Sequence, residues 1–142
     1  MLRYKFRQQN RLKSPKEFQS VFDHNQIRVG SPSILILAKP NQLEISRLGL
    51  VIRKKFVRFA HDRNRVKRIV RESFRHSQSS FPGLDCVVLT RPGAGDMANK
   101  ELRNLLDEMF TTLANKNVAN KKVATNEVAN KKVANNGDSS GQ

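Results

Sequence analysis

Residues 53–75 read RKKFVRFAHDRNRVKRIVRESFR and place ten Lys or Arg side chains beside two acids, which is a local charge of +8. The apolar and small residues after position 63 recur at the i, i+3, i+4 spacing of a helix. They predict one buried face, made of Val66, Ile69, Val70, Ser73 and Phe74. At about 100° per residue, the opposite face carries Asn64, Lys67, Arg68, Arg71 and Arg75. A helix that buries one side and presents arginines on the other is suited to a polyanion, and the pattern favours nucleic acid.

The composition narrows the class of protein. The chain has 142 residues, 27 Lys or Arg against 12 Asp or Glu, and a hydrophobic content of 37%. This length predicts one domain with a modest core. The single cysteine, Cys86, excludes an internal disulfide and a cysteine-based zinc site and is compatible with a reducing compartment. Because no apolar run suits a transmembrane helix or a signal peptide, we expect a cytoplasmic protein with no membrane association.

Capping and turn signals divide the chain into elements. Ser14-Pro15-Lys16-Glu17 is a capping box that opens a helix over residues 15–24. The apolar runs that follow predict a short hairpin strand near Val29 and further strands over residues 33–39, 47–54 and 85–90. Gly49, inside the strand predicted over residues 47–54, indicates a β-bulge or a close approach of another part of the chain. Asp62 is positioned to cap the basic helix, and the last helix is expected over residues 97–113.

The two ends of the chain differ in composition from its middle. Residues 1–13 contain five basic side chains and no acid, which predicts a basic arm that contacts RNA, with a mitochondrial transit peptide as the alternative. After residue 113, valines recur every five residues among Asn and Lys, a spacing of neither helix nor strand. We therefore expect one domain over residues 1–113 and a disordered low-complexity tail over residues 114–142.

Side chains that could carry catalysis are few. His24, His61 and His76 are the only histidines, and none has a metal-like spacing to Cys86 or to a carboxylate. His61 beside Asp62 could transfer a proton, but the start of a helix next to a basic cluster explains the pair better. Cys86 lies among strand residues and is expected in the core. The sequence predicts no catalytic residue and no metal site formed by the protein alone.

Aromatic side chains pose a choice between core packing and base stacking. Phe18 and Phe22 lie one turn apart on the first helix, where they could pack in the core or edge a groove for unpaired bases. Phe56 and Phe59, which flank Arg58, pose the same choice. Arginine forks bind phosphate oxygens bidentately, which suits the basic helix to the RNA backbone.

The motifs of this chain resemble those of the bacterial ribonuclease P protein subunit. The resemblance is carried by RLGLVIRKK at 47–55, RNRVKR at 63–68 and RESFR at 71–75. It extends from Asn10-Arg11-Leu12 through the Phe18 and Phe22 pair to the last helix. The segment FVRFAHD at 56–62 is similar to the proteobacterial variant of the family.

The resemblance implies a compact α+β sandwich of two layers in the order α-β-β-β-α-β-α. It also implies a four-stranded sheet with a left-handed β-α-β crossover, the fold of the second domain of a small-subunit ribosomal protein. In this family the RNA subunit performs the hydrolysis with bound Mg²⁺. The protein binds that catalytic RNA and the 5′ leader of precursor tRNA and assists removal of the leader, and no protein partner is required.

When the motifs of this chain are matched to those of the family position by position, the resemblance implies roles for two groups of residues. Those expected to face the RNA subunit are Lys54, Lys55, Arg63, Asn64, Arg65, Lys67, Arg68, Arg71 and Arg75, with Asn64 also able to contact a metal ion indirectly. Those expected to line or border the leader cleft are Arg11, Phe18, Phe22, Ile36, Val51 and Arg53. Some members have an aromatic residue in the central cleft where this chain offers Ile36.

Two other classes of protein stay open at this point. A structural RNA-binding protein of the ribosome suits the composition and the basic helix equally well, and the RNA that copurifies would distinguish the two. A self-sufficient protein nuclease would need a carboxylate cluster or a histidine pair to hold metal, and the sequence lacks both.

Overall fold

The computed structural model describes residues 10–131, with side chains over residues 10–120. Its helices and strands follow the predicted order: α1 (Pro15–His24), β1 (Ile27–Gly30), β2 (Ile34–Pro40), β3 (Arg47–Val51), α2 (Ala60–Ser77), β4 (Leu84–Thr90) and α3 (Asn99–Lys131). The predicted α+β class is confirmed. Within the described range, no helix has the length and apolar character needed to span a bilayer.

The four strands form one mixed sheet in the order β1-β2-β4-β3. The neighbours β1–β2 and β2–β4 are antiparallel, whereas β3 and β4 are parallel and are joined through α2. The left-handed sense of this crossover stays a prediction. Helices α2 and α3 pack on one face of the sheet and bury the main core, in which Phe74, Phe81 and Phe110 are fully buried. This sheet and helix pair are the two predicted layers.

The first helix packs on the other face of the sheet. The predicted capping box is present, since the Ser14 hydroxyl accepts from the Glu17 amide and the Glu17 carboxylate accepts from the Ser14 amide. Val21 is buried against Leu37 and Val87, and Phe18 and Phe22 pack at the edge of this second cluster. Because α1 covers only part of the sheet, the rest of this face stays partly open.

The basic helix α2 buries the face that its spacing predicts, Val66, Ile69, Val70, Ser73 and Phe74. The predicted cap is wrong, because Phe59 occupies the N-cap and no side chain caps the helix. Asp62 lies in the first turn instead, where it accepts a hydrogen bond from Arg65.

The last helix continues past the predicted boundary. Helix α3 runs to Lys131, so the prediction of disorder from residue 114 is wrong for residues 114–131. The extension packs on β1: Asn117 is buried, and the Lys116 ammonium donates to the Arg28 carbonyl at 2.8 Å. The repeat spacing could not show these contacts, because they join residues that are 88 positions apart. Residues 1–9 and 132–142, which hold most of the predicted arm and the end of the predicted tail, lie outside the described residues.

Candidate nucleic-acid interface

The outward side of α2 gathers the predicted polar residues on one surface, which we call the basic face: Asn64, Lys67, Arg68, Arg71 and Arg75. Asn64 and Arg68 are exposed, and the other three are half-buried. The one acid beside them, Glu72, is paired with Arg75 and lies 3.3 Å from His76. The hydrogen bond from Arg75 holds the pKa of Glu72 below its usual value. Glu72 therefore keeps its negative charge at neutral pH, but the four cations of the basic face outnumber it, and this excess of positive charge favours a phosphate backbone as the partner.

The start of the described chain brings Arg11 to the edge of the basic face. The Leu12 amide donates a hydrogen bond to the Leu48 carbonyl at 3.0 Å, and Arg11 forms an isolated parallel β-bridge with Leu48 of β3. Burial and then the nearby charge of Arg11 lower the pKa of Arg71. Arg11 therefore adds positive charge beside the basic face, and its predicted place at the border of the leader cleft stays a prediction.

Arg65 points into the protein and not toward an RNA partner. Its guanidinium donates to the carbonyls of Met97 at 2.7 Å and Gly95 at 2.9 Å, and to the Asn99 side chain at 2.8 Å. With Asp62 at 3.3 Å, all its nitrogens have protein acceptors, and only 19% of the side chain is exposed. The prediction that Arg65 faces the RNA subunit is therefore wrong. The hydrogen bonds of its guanidinium group link α2 to the loop between β4 and α3.

The loop between β3 and α2 presents further cations. Lys54 and Lys55 are exposed, as predicted for residues beside the basic face. Arg63 has a mixed role, because its guanidinium donates to the carbonyls of Val57 at 3.1 Å and Arg58 at 2.8 Å while remaining half-exposed. Arg63 thus fixes the loop that carries the two lysines.

The open part of the sheet forms an apolar groove beside α1. Leu35 pairs with Leu89, and Leu89 pairs with Val51, so three side chains form one row across β2, β4 and β3 on the same face. All three are half-buried, and strands about 4.8 Å apart make the row about 10 Å long. Phe18 and Phe22 pack against the same cluster. We call these five residues the open-face groove.

The strand register decides which residues reach this groove. Val51 and the two phenylalanines lie in this groove, and their contact with the leader stays a prediction. The prediction for Ile36 is wrong, because this side chain is fully buried in the core between the sheet and α2 and α3. Successive strand residues point to opposite faces, so the neighbours of Ile36 occupy the groove side instead. Sequence reasoning missed Leu35 and Leu89, because β2 and β4 are apolar at successive positions and their sequences do not show which face is covered by α2 and α3.

Arginines at the rim place charge next to the groove. Arg53 is exposed two residues after Val51, and its amide donates to the Thr90 hydroxyl at 3.0 Å. Arg28 is exposed on β1 and pairs in register with Leu37, whose side chain faces the same side as the groove. An apolar floor with cations at its rim suits a chain of stacked bases whose phosphates face outward.

Arg47, the first residue of the RLG motif, supports this site from inside. It donates two hydrogen bonds to Asp85, at 2.8 and 2.7 Å, and one to Glu17 at 2.9 Å. The Asp85 carboxylate is buried and also accepts from Asn41 at 2.9 Å. Arg47 therefore links the start of α1 to β4. This link holds α1, which forms one side of the groove, against the sheet that forms its base.

The described side chains offer no metal site of their own. Across residues 10–120, no group of three or more His, Cys, Asp or Glu side chains could hold a metal ion. On the basic face, Asn64 supplies an amide oxygen, while the Glu72 carboxylate is occupied by its basic partners. The residues present therefore do not fit a directly bound Mg²⁺. Cys86 is buried, as predicted, and burial raises the pKa of its thiol.

The comparison with known families decides the identity. The family model for Ribonuclease P matches residues 6–114. The chain belongs to this family. It is the protein subunit of the ribonuclease P endoribonuclease, a ribonucleoprotein that processes the 5′ end of tRNA, and its partner is the ribonuclease P RNA.

Solved structures of ribonuclease P proteins show the same fold. The Staphylococcus aureus protein is 27% identical with a TM-score of 0.67, and the match covers 73% of this chain and 94% of that one. The Thermotoga maritima protein is 30% identical with a TM-score of 0.57, covering 69% of this chain and 96% of that one. A mutant of the S. aureus protein, described as defective in mRNA degradation activity, is 28% identical with a TM-score of 0.66, covering 74% of this chain and 88% of that one.

Proposed function

We propose that this ribonuclease P protein holds two RNA segments on two separate surfaces. The basic face, with Arg11, Lys54 and Lys55, docks on the ribonuclease P RNA, and the open-face groove binds the single-stranded 5′ leader of precursor tRNA. The observation that carries the second part is the half-exposed row of Leu35, Leu89 and Val51 with aromatic residues at its side. A folded domain has little reason to leave such a row open beside cations unless a partner with apolar faces and negative charge covers it.

The two surfaces supply different parts of the binding free energy. Arginines on the basic face neutralise phosphates of the docked RNA, and this term weakens as salt rises. The groove stacks on leader bases, which contributes about 1–3 kcal/mol per base and depends little on salt. By gripping the leader, the protein favours precursor over mature tRNA. By adding positive charge, it lets the two RNA molecules approach each other.

The chemistry of hydrolysis belongs to the RNA subunit in this proposal. The described part of the basic face fits no directly bound metal, so we assign Mg²⁺ mainly to the RNA. The exposed Asn64 amide contacts such an ion at most through a water molecule. We further propose that the protein acts in the cytoplasm with RNA alone as its partner. The segment at 56–62 supports a proteobacterial-type member.

Reconstitution with a transcript of bacterial ribonuclease P RNA tests the proposal. The complex should cleave a precursor tRNA at lower Mg²⁺ than the RNA alone, and it should bind precursor more tightly than mature tRNA. Leu89→Ser should reduce this preference by about five-fold or more, because a hydroxyl replaces the apolar surface that a leader base would cover. Leu43→Ser is the matched control, since Leu43 is also an exposed leucine but lies in the turn before β3. An equal loss of affinity for both tRNA forms in Leu89→Ser would refute leader binding in the groove.

A further inference from the structure

Phe59 is an exposed aromatic side chain that neither the basic face nor the open-face groove uses. Its exposure is 56%, the highest among the large hydrophobic residues in the described part of the chain. The Phe59 ring stacks on His61, with ring centroids 5.7 Å apart and planes 11° from parallel. The guanidinium carbon of Arg58 lies 5.5 Å from the Phe59 centroid. We call these three residues the Phe59 platform.

The backbone under the platform is fixed before any ligand binds. The Phe59 carbonyl accepts hydrogen bonds from the amides of Asp62 at 3.1 Å and Arg63 at 3.0 Å. The Arg63 guanidinium also holds the carbonyls of Val57 and Arg58, and the Val57 side chain is buried in the core. A ligand that stacks here therefore loses little free energy to ordering of the loop.

The surroundings of Phe59 favour RNA over a protein partner. Residues 53–63 hold one acid, Asp62, and five cations: Arg53, Lys54, Lys55, Arg58 and Arg63. The other exposed large hydrophobic residues of the described part are Leu43 and Val118, which lie in the turn before β3 and on α3. Phe59, with the His61 ring stacked on it, thus lies among cations and is not part of an apolar patch. An apolar protein surface would have to desolvate those cations, whereas a nucleotide offers a flat base for the ring and a phosphate for the charges.

We propose that the Phe59 platform stacks on an unpaired nucleobase of the ribonuclease P RNA, next to the segment that docks on the basic face. This inference rests on the proposed docking of that RNA on the basic face, which begins five residues further on at Asn64. The stacked base fixes the position of the RNA along α2, because phosphate contacts alone would allow it to slide. The platform therefore adds affinity that does not depend on salt and sets the register of the complex.

Tryptophan fluorescence gives a direct test, because the chain has no tryptophan. Phe59→Trp places a reporter on the platform and keeps a stacking ring, and Leu43→Trp places one at an exposed control site. Titration with a transcript of bacterial ribonuclease P RNA should quench the first reporter at saturation and leave the second nearly unchanged. Phe59→Ala should weaken binding of the transcript by between about 5-fold and about 150-fold, with an unchanged slope of log Kd against log[salt]. The thermal unfolding of Phe59→Ala should match that of wild type, because the ring is exposed.

The outcomes separate this inference from the proposed function. If wild type binds the transcript but Phe59→Ala binds equally well and the Phe59→Trp reporter is not quenched, the platform is refuted while docking on the basic face stands. A change in the salt slope of Phe59→Ala would show that the variant disturbs phosphate contacts, and stacking would be rejected. If the wild-type chain fails to bind the transcript, the docking proposal and this inference fall together.

Discussion

The ring of Phe18 lies directly over Gly49. A Cβ atom added to Gly49 would come within 2.5 Å of Cε2 and 2.7 Å of Cζ of that ring, and within 3.0 Å of the Leu12 side chain. At these distances, a side chain at position 49 would force the Phe18 ring to move. Gly49 is therefore where α1 makes its close contact with the sheet. This contact sets the distance between α1 and β3, and so the width of the open-face groove.

Gly49→Ala should lower the free energy of unfolding by about 1–3 kcal/mol, because the added methyl group overpacks the contact with Phe18. Precursor tRNA binding should weaken as well, since α1 carries Phe22 and must shift to make room. Denaturant titration measures the first effect and tRNA titration the second. Gly30→Ala is the control: its added Cβ would meet nothing closer than Arg91 at 3.6 Å, so a change within about 0.5 kcal/mol is expected. Equal stability of the two variants would contradict the role of this contact.

Acid should destabilise the protein partly through Glu17. Hydrogen bonds from the amides of Lys13 and Ser14, and then the charge of Arg47, hold the pKa of Glu17 below its usual value of 4.5. A carboxylate with a lowered folded-state pKa stabilises the fold above the unfolded-state pKa, and this contribution is lost as the pH falls through the folded-state pKa. The free energy of unfolding should therefore fall as the pH drops below about 4.5, and less steeply in Glu17→Gln, which keeps the capping geometry but cannot titrate. Parallel curves for the two proteins would contradict this assignment.

Arg65 and Arg68 should respond to substitution in opposite ways. Arg65→Ala removes the hydrogen bonds to Gly95 and Met97 and should lower the free energy of unfolding by about 2–3 kcal/mol. Arg68→Ala, on the exposed side, should leave stability within about 0.5 kcal/mol but weaken binding of the ribonuclease P RNA and reduce the salt slope by about 0.7–0.9. Thermal melts and salt-dependent binding distinguish the two effects. An Arg65→Ala protein as stable as wild type, with reduced RNA affinity, would reverse this assignment.

The sequence was sufficient for features that depend on local pattern. The capping box of α1 and the buried face of α2 follow from hydrogen bonding and spacing within a few residues, and both are confirmed. The close approach at Gly49 could be stated, but its partner Phe18 could not, because the two residues meet only in the tertiary structure.

The predictions that were wrong concern contacts between residues that are far apart in the sequence. Ile36 and Leu35 are both apolar strand residues, so only the packing of α2 and α3 shows which of them faces the core. Arg65 lies between two residues expected to bind RNA, and its spacing does not reveal carbonyls 30 and 32 positions away that accept its hydrogen bonds. Charge on a helix predicts the kind of partner, whereas the fold decides which cations remain exposed for it.

Leu35 and Ile36 therefore provide a test of the strand register. Leu35→Ala should reduce the preference for precursor over mature tRNA with little loss of stability, because its side chain is half-exposed in the groove. Ile36→Ala should lower the free energy of unfolding by about 2–5 kcal/mol through a buried cavity and leave the tRNA preference unchanged where the variant is folded. Melting curves and paired tRNA titrations measure both. The opposite pattern would mean that β2 presents its other face to the groove.

Truncation of α3 should show where the folded domain ends. The contacts of α3 with β1 include the Lys116 ammonium on the Arg28 carbonyl, at 2.8 Å, and a further contact of the Asn120 amide on the Gln26 carbonyl just before β1, at 3.4 Å. Removal of residues 114–142 deletes these contacts together with buried Asn117 and should lower the free energy of unfolding by about 2 kcal/mol. Removal of residues 121–142 keeps all of them and should leave the thermal midpoint within experimental error, although it takes away most of the basic repeat. If both truncated chains melt like the full chain, the extension of α3 does not support β1, and the domain boundary lies at residue 113 after all.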